Sequence, residues 1–326
     1  MILMVTLLCL SMGCAERVPA VPTPFKNAEF LSKPDLALQI PGLRPCTEAA
    51  DSTIHLNSQQ PVTILVHGCN GSAGRFQALA EVFAFHGQQT VGFTYDDRDE
   101  MMATSGALAR AIEALGARMQ NKQITIVGHS QGGLVARKAL VAGRPDALRD
   151  PELQIRLVTI STPFSGIRAA RHCGSPVARI ISLGMVMPIC QIVTGSKWRE
   201  ITYNAPFITR PGQLSPQVKS HLKVNTDERD SCRTVDAEGN CLKSDFTFSL
   251  EEQNQPEVDR EPRLKGLDVK AGHVEIVGDR QVIPEKLIRI LQQEGVMATT
   301  RPERHVDLAK LLAKLYLEDY GTGARE

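Results

Sequence analysis

Residues 128–132 read Gly128-His129-Ser130-Gln131-Gly132, at the point where an apolar run suited to a strand, 124–127, gives way to a helical pattern over 134–141. Glycines on both sides of a serine let the chain turn sharply and leave room for neighbouring backbone to pass close. The side chain then projects from the carboxyl end of a sheet, and the first amides of the helix point at the same spot, where they stabilise developing negative charge. That is a placement for nucleophilic attack on a carbonyl carbon.

A serine hydroxyl is a weak nucleophile at neutral pH; it needs a base, and the base needs a group that fixes its tautomer. Of eight histidines, His55, His86, His172, His221 and His305 lack a turn near a strand end, and His129 directs its ring away from Ser130. His67 lies in a glycine turn before the serine. His273 stands just past a strand expected over 264–269, in Ala271-Gly272-His273-Val274, and is the candidate base. The acid is sought beyond the preceding strand, expected over 221–226, where Asp227, Glu228 and Asp230 follow. Asp227 is favoured because it directly ends the strand; Asp230 is the second choice and Glu228 the third. An oxyanion needs two backbone donors, one of them the amide of Gln131, the residue after the nucleophile, and the other from the turn after the first buried strand.

The elements that must position these groups alternate. Strands are expected over 53–57, 62–66, 90–95, 124–127 and 155–160, with helices over 74–86, 104–119 and 134–141 between them. Continuous Val, Ile and Leu strands separated by amphipathic helices imply an α/β fold, a mostly parallel sheet with helices on both faces. The rhythm breaks over 163–218. It returns with the strand at 221–226, a hairpin-like excursion over 229–248, a polar surface loop over 251–263, the strand at 264–269 and helices over 284–293 and 306–320.

Leu65-Val66-His67-Gly68, Gly128 to Gly133 and Ser161-Thr162-Pro163-Phe164-Ser165-Gly166 together resemble the lipase branch of the α/β-hydrolases, near bacterial triacylglycerol lipases and serine esterases similar to the GPI inositol-deacylases. The resemblance covers about residues 60–280 and is strong to 166. It implies a serine ester hydrolase that forms an acyl-enzyme, needs no metal or organic cofactor, and carries its base late in the chain, as His273 does. His67-Gly68-Cys69-Asn70-Gly71 resembles the H-G-x-x-G of lipases, which assigns the second oxyanion donor to the amide of Cys69. His67, Gly68, Tyr95 and Phe164 are the expected substrate contacts, although Phe164 stands where the lipase pattern usually has histidine. Residues 167–218 would form the lid, either a mobile apolar surface or part of a fixed cap. Acyl transfer to an acceptor other than water would use the same residues, and a catalytically silent envelope protein is the reading from another class.

Composition bounds the setting. The chain has 326 residues, 37 Lys plus Arg against 36 Asp plus Glu, and a net charge of +1, so there is no basic surplus for nucleic acid. The first 14 residues, MILMVTLLCLSMGC, form an apolar run ending in small residues before Cys14. They read as an export signal, with Ser11 to Cys14 resembling a bacterial lipobox in which the cysteine is lipidated. The expected domains are thus a signal over 1–14, a proline-rich tether over 15–50 and the catalytic domain over 51–326. The expected setting is the cell envelope, through a lipid anchor in the membrane, or otherwise the outside of the cell. Export suits the remaining six cysteines, whose proximity favours Cys46 with Cys69, Cys173 with Cys190, and Cys232 with Cys241; buried free thiols are the alternative. No CxxC or HxxxH spacing suggests a metal.

Overall fold

The computed structural model of the protein describes residues 33–47, 50–68, 76–97, 99–167, 198–279 and 282–316. The chain runs β1 (Leu36–Leu38), β2 (Leu43–Arg44), β3 (Ile54–Leu56), β4 (Val62–Val66), α1 (Gln77–Phe85), β5 (Gln89–Phe93), α2 (Met101–Gly116), β6 (Gln123–His129), α3 (Gln131–Ala139) and β7 (Gln154–Ile160). After the undescribed stretch come α4 (Trp198–Ile201), α5 (Pro206–Thr209), β8 (Val218–Asp227), β9 (Cys232–Val235), β10 (Cys241–Ser244), α6 (Leu250–Gln253), α7 (Pro256–Asp259), β11 (Leu264–Lys270), α8 (Glu285–Gln293) and α9 (His305–Tyr316).

The main sheet has seven strands in the order β11-β8-β7-β6-β4-β5-β2, all parallel except β2, which pairs antiparallel with β5. Every residue of β4 is buried, as expected of a strand covered on both faces. The strand alternation divides its side chains between two cores. Val62, Ile64 and Val66 join Ile124 and Ile126 in a core with α2 and α3, while Leu65 joins Val127, Val158 and Ile160 in a core with α1, α8 and α9. In α8 the buried residues Leu287, Ile288, Ile290 and Leu291 form one apolar stripe. Each such side chain contributes roughly 1.5–3 kcal/mol when fully buried.

Three sequence expectations are revised. Residues 33–47 belong to the folded body rather than to a tether: β1 pairs antiparallel with β3, β2 closes one edge of the main sheet, and Ile40 and Leu43 are buried. Their short apolar alternation lies among prolines that read as extended chain. The segment 251–263 is not a plain loop. Ser249 and Glu252 form a capping box that starts α6, and Pro256 starts α7, whose Val258 is fully buried. Cys46 is a buried free thiol rather than the partner of Cys69. Burial pushes it up to about 12, against a lowering contact with the Thr90 hydroxyl, so it behaves as a small apolar side chain of the core. Cys69, Cys173 and Cys190, like Cys14 and the expected signal, lie outside the described residues.

Most of the expected lid, 168–197, also lies outside the described residues. The flanking chain is fixed. Ile167 bridges to Thr202 and its amide donates to the Ile201 carbonyl at 2.9 Å, so residues 167 and 202 lie side by side. From α3, Arg137 donates to the carbonyls of Pro211 and Gly212 at 2.8 and 2.9 Å, and Lys138 donates to that of Arg210 at 2.6 Å. Phe207, Ile208 and Leu214 are buried in the core below. Residues 198–218 are therefore structural body, clamped to the helix that follows Ser130.

Candidate active site

β6 ends at His129 and α3 begins at Gln131, so Ser130 alone makes the turn, with φ 56° and ψ −126°. The strained angle falls on the serine and not on its glycines. Those glycines serve close approach: a Cβ on Gly128 would stand 2.6 Å from the Gly132 carbonyl oxygen, and one on Gly132 would stand 2.3 Å from that of Val66. The amide of Ser130 donates to the Ile160 carbonyl at 2.9 Å, which ties the turn to the end of β7. Gly68 lies against the serine, since a Cβ there would be 3.0 Å from Ser130 Cβ and 3.5 Å from its Oγ. The turn after β4 and the start of α3 thus meet at this hydroxyl.

His273 is brought from the far end of the sheet to the side of His129, the residue before Ser130. His129 Nε2 donates to the His273 carbonyl oxygen at 3.0 Å, and the two rings lie 4.7 Å apart. Phe248 meets the His273 ring edge-on at 4.9 Å. Asp245 holds the backbone: its carbonyl accepts from the His273 amide at 2.9 Å, and its carboxylate accepts from the amides of Val274 and Glu275 at 3.1 and 2.9 Å. Burial raises the Asp245 carboxyl, and these amides work against that rise.

The carboxylate at the ring is that of Glu228, not Asp227. Glu228 Oε1 lies 3.0 Å from His273 Nδ1, while Oε2 accepts from the amides of Thr247 and Phe248 at 2.5 and 2.8 Å. Strand parity explains the correction. Alternate side chains of a strand share a face, so Thr226 and Glu228 point one way, their side-chain oxygens 2.8 Å apart, and Asp227 points the other. Asp227 pairs with Arg229 at 2.6 Å, and that guanidinium holds its carboxyl down to about 2. Asp230 sits in an exposed turn at φ 60°. Proximity to the strand end favoured Asp227; the alternation favours its neighbour.

The side chain of Glu228 is fully enclosed. Burial opposes its ionisation, but His273 and the amides of Phe248 and Thr247 outweigh burial and hold the carboxyl below its ordinary range. The hairpin β9–β10, which carries the disulfide Cys232–Cys241 expected from the sequence, leads directly into Asp245, Thr247 and Phe248. One excursion between Glu228 and His273 therefore supplies contacts to both.

Two buried histidines make an acid-sensitive pair. Burial, aided by the neighbouring His273, holds His129 well below its ordinary 6.5; burial, aided by Arg137, Lys223 and Arg263, does the same for His221. The unfolded chain then binds protons that the folded chain refuses. Their stability contribution is complete above about pH 6.5 and is lost as pH falls below it, at up to roughly 3 kcal/mol per pH unit for two such groups. Urea unfolding at pH 7.5 and 5.5 is expected to show a clear loss of stability before the carboxylates titrate. Equal stability at the two pH values would contradict the neutral assignment.

The remaining expected residues divide. Gln131 opens α3 beside Ser130, and its proposed partner Cys69 lies outside the described residues. His67 is buried; its Nδ1 bonds the Gly68 carbonyl at 2.8 Å, and Tyr95 stacks on its ring at 4.3 Å while donating to its carbonyl at 2.7 Å. His67 and Tyr95 together stiffen the turn that carries Gly68. Phe164, expected to touch substrate, instead packs into the core against His221 and Lys223. Ser161, Thr226 and Asp245 carry no local sequence signal of their own, although Ser161 opens the Ser-Thr-Pro motif. Among the described residues no group of three or more His, Cys, Asp or Glu side chains is arranged to hold a metal ion.

A parallel sheet of this order, with a serine on a strained turn between strand and helix, defines an α/β-hydrolase. The model of the class 2 lipase family matches residues 59–231, more than half of the chain, and the chain belongs to that family. The match includes Ser130 and Glu228 and stops before the hairpin and His273. Among solved structures the protein is similar to the Bacillus licheniformis lipase BlEst2 in its propeptide form, at 14% identity over 83% of this chain and 56% of that one, with a TM-score of 0.51. It is also similar to the mature form of that lipase (15% identity, 81% and 99% covered, TM-score 0.48) and to the Pyrococcus furiosus esterase PF2001 (15%, 81% and 91%, 0.47). At these identities the likeness is one of fold. Comparison with curated protein sequences finds no match.

Proposed function

We propose that the protein is a serine hydrolase of carboxylic esters in which Ser130, His273 and Glu228 act as nucleophile, base and acid. The observation that carries this reading is the contact of 3.0 Å between Glu228 and Nδ1 of a histidine whose carbonyl is tied to His129, the residue before Ser130. With Nδ1 engaged, Nε2 is left to serve the serine. Ser130 Oγ attacks the ester carbonyl carbon and passes its proton to Nε2, and the amides of Gln131 and Cys69 hold the resulting oxyanion. Collapse expels the alcohol with the proton from His273. Water, activated by the same nitrogen, then releases the acid from the acyl-enzyme.

Hydrolysis of p-nitrophenyl butyrate tests the reading. The parent is expected to turn over, and Ser130→Ala and His273→Ala to lose activity while remaining folded by circular dichroism. A folded parent without activity, or full activity in either variant, would contradict it.

Export and lipid anchoring form a second part of the proposal, supported by the apolar run before Cys14 and by the disulfide of the hairpin. Cells fed an alkyne fatty acid are expected to label the parent but not Cys14→Ala. Equal labelling of both would refute the anchor.

A further inference from the structure

Resting on that assignment of His273 and Glu228, we infer that Ser161 is a positioning residue, its hydroxyl forming a second hydrogen-bonded path between the imidazole and the carboxylate. Ser161 directly follows β7 and takes φ 44°, a conformation that a residue with a Cβ rarely adopts. Its amide donates to the Val224 carbonyl at 2.8 Å, and it is fully buried. The result of this backbone is to place Oγ 2.8 Å from His273 Nδ1 and 2.7 Å from Glu228 Oε1.

Counting protons fixes the roles. The hydroxyl has one proton, and the Glu228 carboxylate, ionised, can only accept, so Ser161 donates to Glu228 and offers a lone pair to Nδ1–H. The Nδ1 proton is thus shared between the carboxylate and the serine oxygen. Thr226 Oγ1 lies 2.7 Å from Ser161 Oγ and 2.8 Å from Glu228 Oε1, and closes the set. Gln253 holds Thr226 in turn: its Oε1 accepts from the Thr226 amide, and its Nε2 donates to the Thr226 carbonyl, each at 2.8 Å.

The chemistry gives this path a purpose. When His273 accepts the nucleophile's proton, positive charge develops on the ring, and a preset oxygen at Nδ1 stabilises it without reorganisation. Glutamate also has one more rotatable bond than aspartate. Ser161 and Thr226 on Oε1, with two backbone amides on Oε2, fix that longer arm. The two acceptors at Nδ1 likewise fix the plane of the ring and hence the direction of Nε2.

The test compares Ser161→Ala with Ser161→Gly. Glycine accepts φ 44° without strain and removes only the side chain, so it separates loss of the hydroxyl from loss of the fold. Both variants are expected to lower kcat for p-nitrophenyl butyrate by about 10- to 100-fold with KM little changed, as misplacement of a catalytic group does. In the proton NMR spectrum the downfield resonance of His273 Nδ1–H is expected to move in Ser161→Gly. A kcat within twofold of the parent in Ser161→Gly, or a fall in kcat with that resonance unmoved, would overturn the inference. Ser130→Ala and Glu228→Gln serve as controls. If both keep activity, the underlying triad fails; if both lose it while Ser161→Gly keeps it, only the role of Ser161 fails.

Discussion

Ser130→Gly is expected to abolish ester hydrolysis and yet yield a more stable protein than either the parent or Ser130→Ala. At φ 56° and ψ −126° any residue with a Cβ is strained, at a cost of roughly 1–3 kcal/mol. Glycine removes that strain and loses about 0.5–1 kcal/mol to its greater freedom in the unfolded chain. The net gain is roughly 1 kcal/mol, which raises Tm by a few degrees. Alanine keeps the Cβ, so Ser130→Ala leaves the strain in place. Both variants lose the nucleophile, and kcat falls by about 10⁶-fold, the scale seen when a triad serine is removed. Paired thermal melts and ester assays check the result. A glycine variant less stable than the alanine variant would mean that the turn is not strained.

The contrast between neighbouring carboxylates is the second large effect. Glu228→Gln keeps the size of the side chain but replaces the charge facing Nδ1 with an amide. The imidazole then loses the partner that sets its tautomer and balances its charge, and kcat is expected to fall by about 10³- to 10⁴-fold. Asp227→Asn removes only a surface pairing with Arg229, whose side chain is 73% exposed, and kcat is expected to stay close to the parent value. The two variants differ by one position in the chain and by the opposite directions in which the side chains point at the end of β8. A large loss in Asp227→Asn with none in Glu228→Gln would reverse the assignment.

That contrast also shows where sequence reasoning stops. The parallel sheet was legible because β4, β6 and β7 are continuous apolar strands, and the serine turn because Gly128 and Gly132 must let Gly133 and Val66 pass close. The place of His273 after a late strand was legible, and the structure sets it beside His129 and Glu228. The carboxylate at its ring was harder to choose, since three stand at or just past the end of one strand and only its exact end and parity choose between them. Asp245 and Gln253 act through contacts with residues far along the chain, and no local pattern announces such contacts. Ser161 was visible as part of a motif, but its position between His273 and Glu228 depends on the adjacency of β7 and β8. Phe164 shows the opposite failure: a motif position expected at the substrate is spent on the core, beside the buried His221.

The proposed roles of Ser130, His273 and Glu228 are tested by the rate at which a fluorophosphonate labels the folded protein, with the adduct mapped by peptide mass spectrometry. One adduct is expected, on Ser130, formed rapidly in the parent and in Asp227→Asn, far more slowly in Glu228→Gln and His273→Ala, and absent in Ser130→Ala. An adduct on another residue, or a Glu228→Gln variant labelled as fast as the parent, would contradict it.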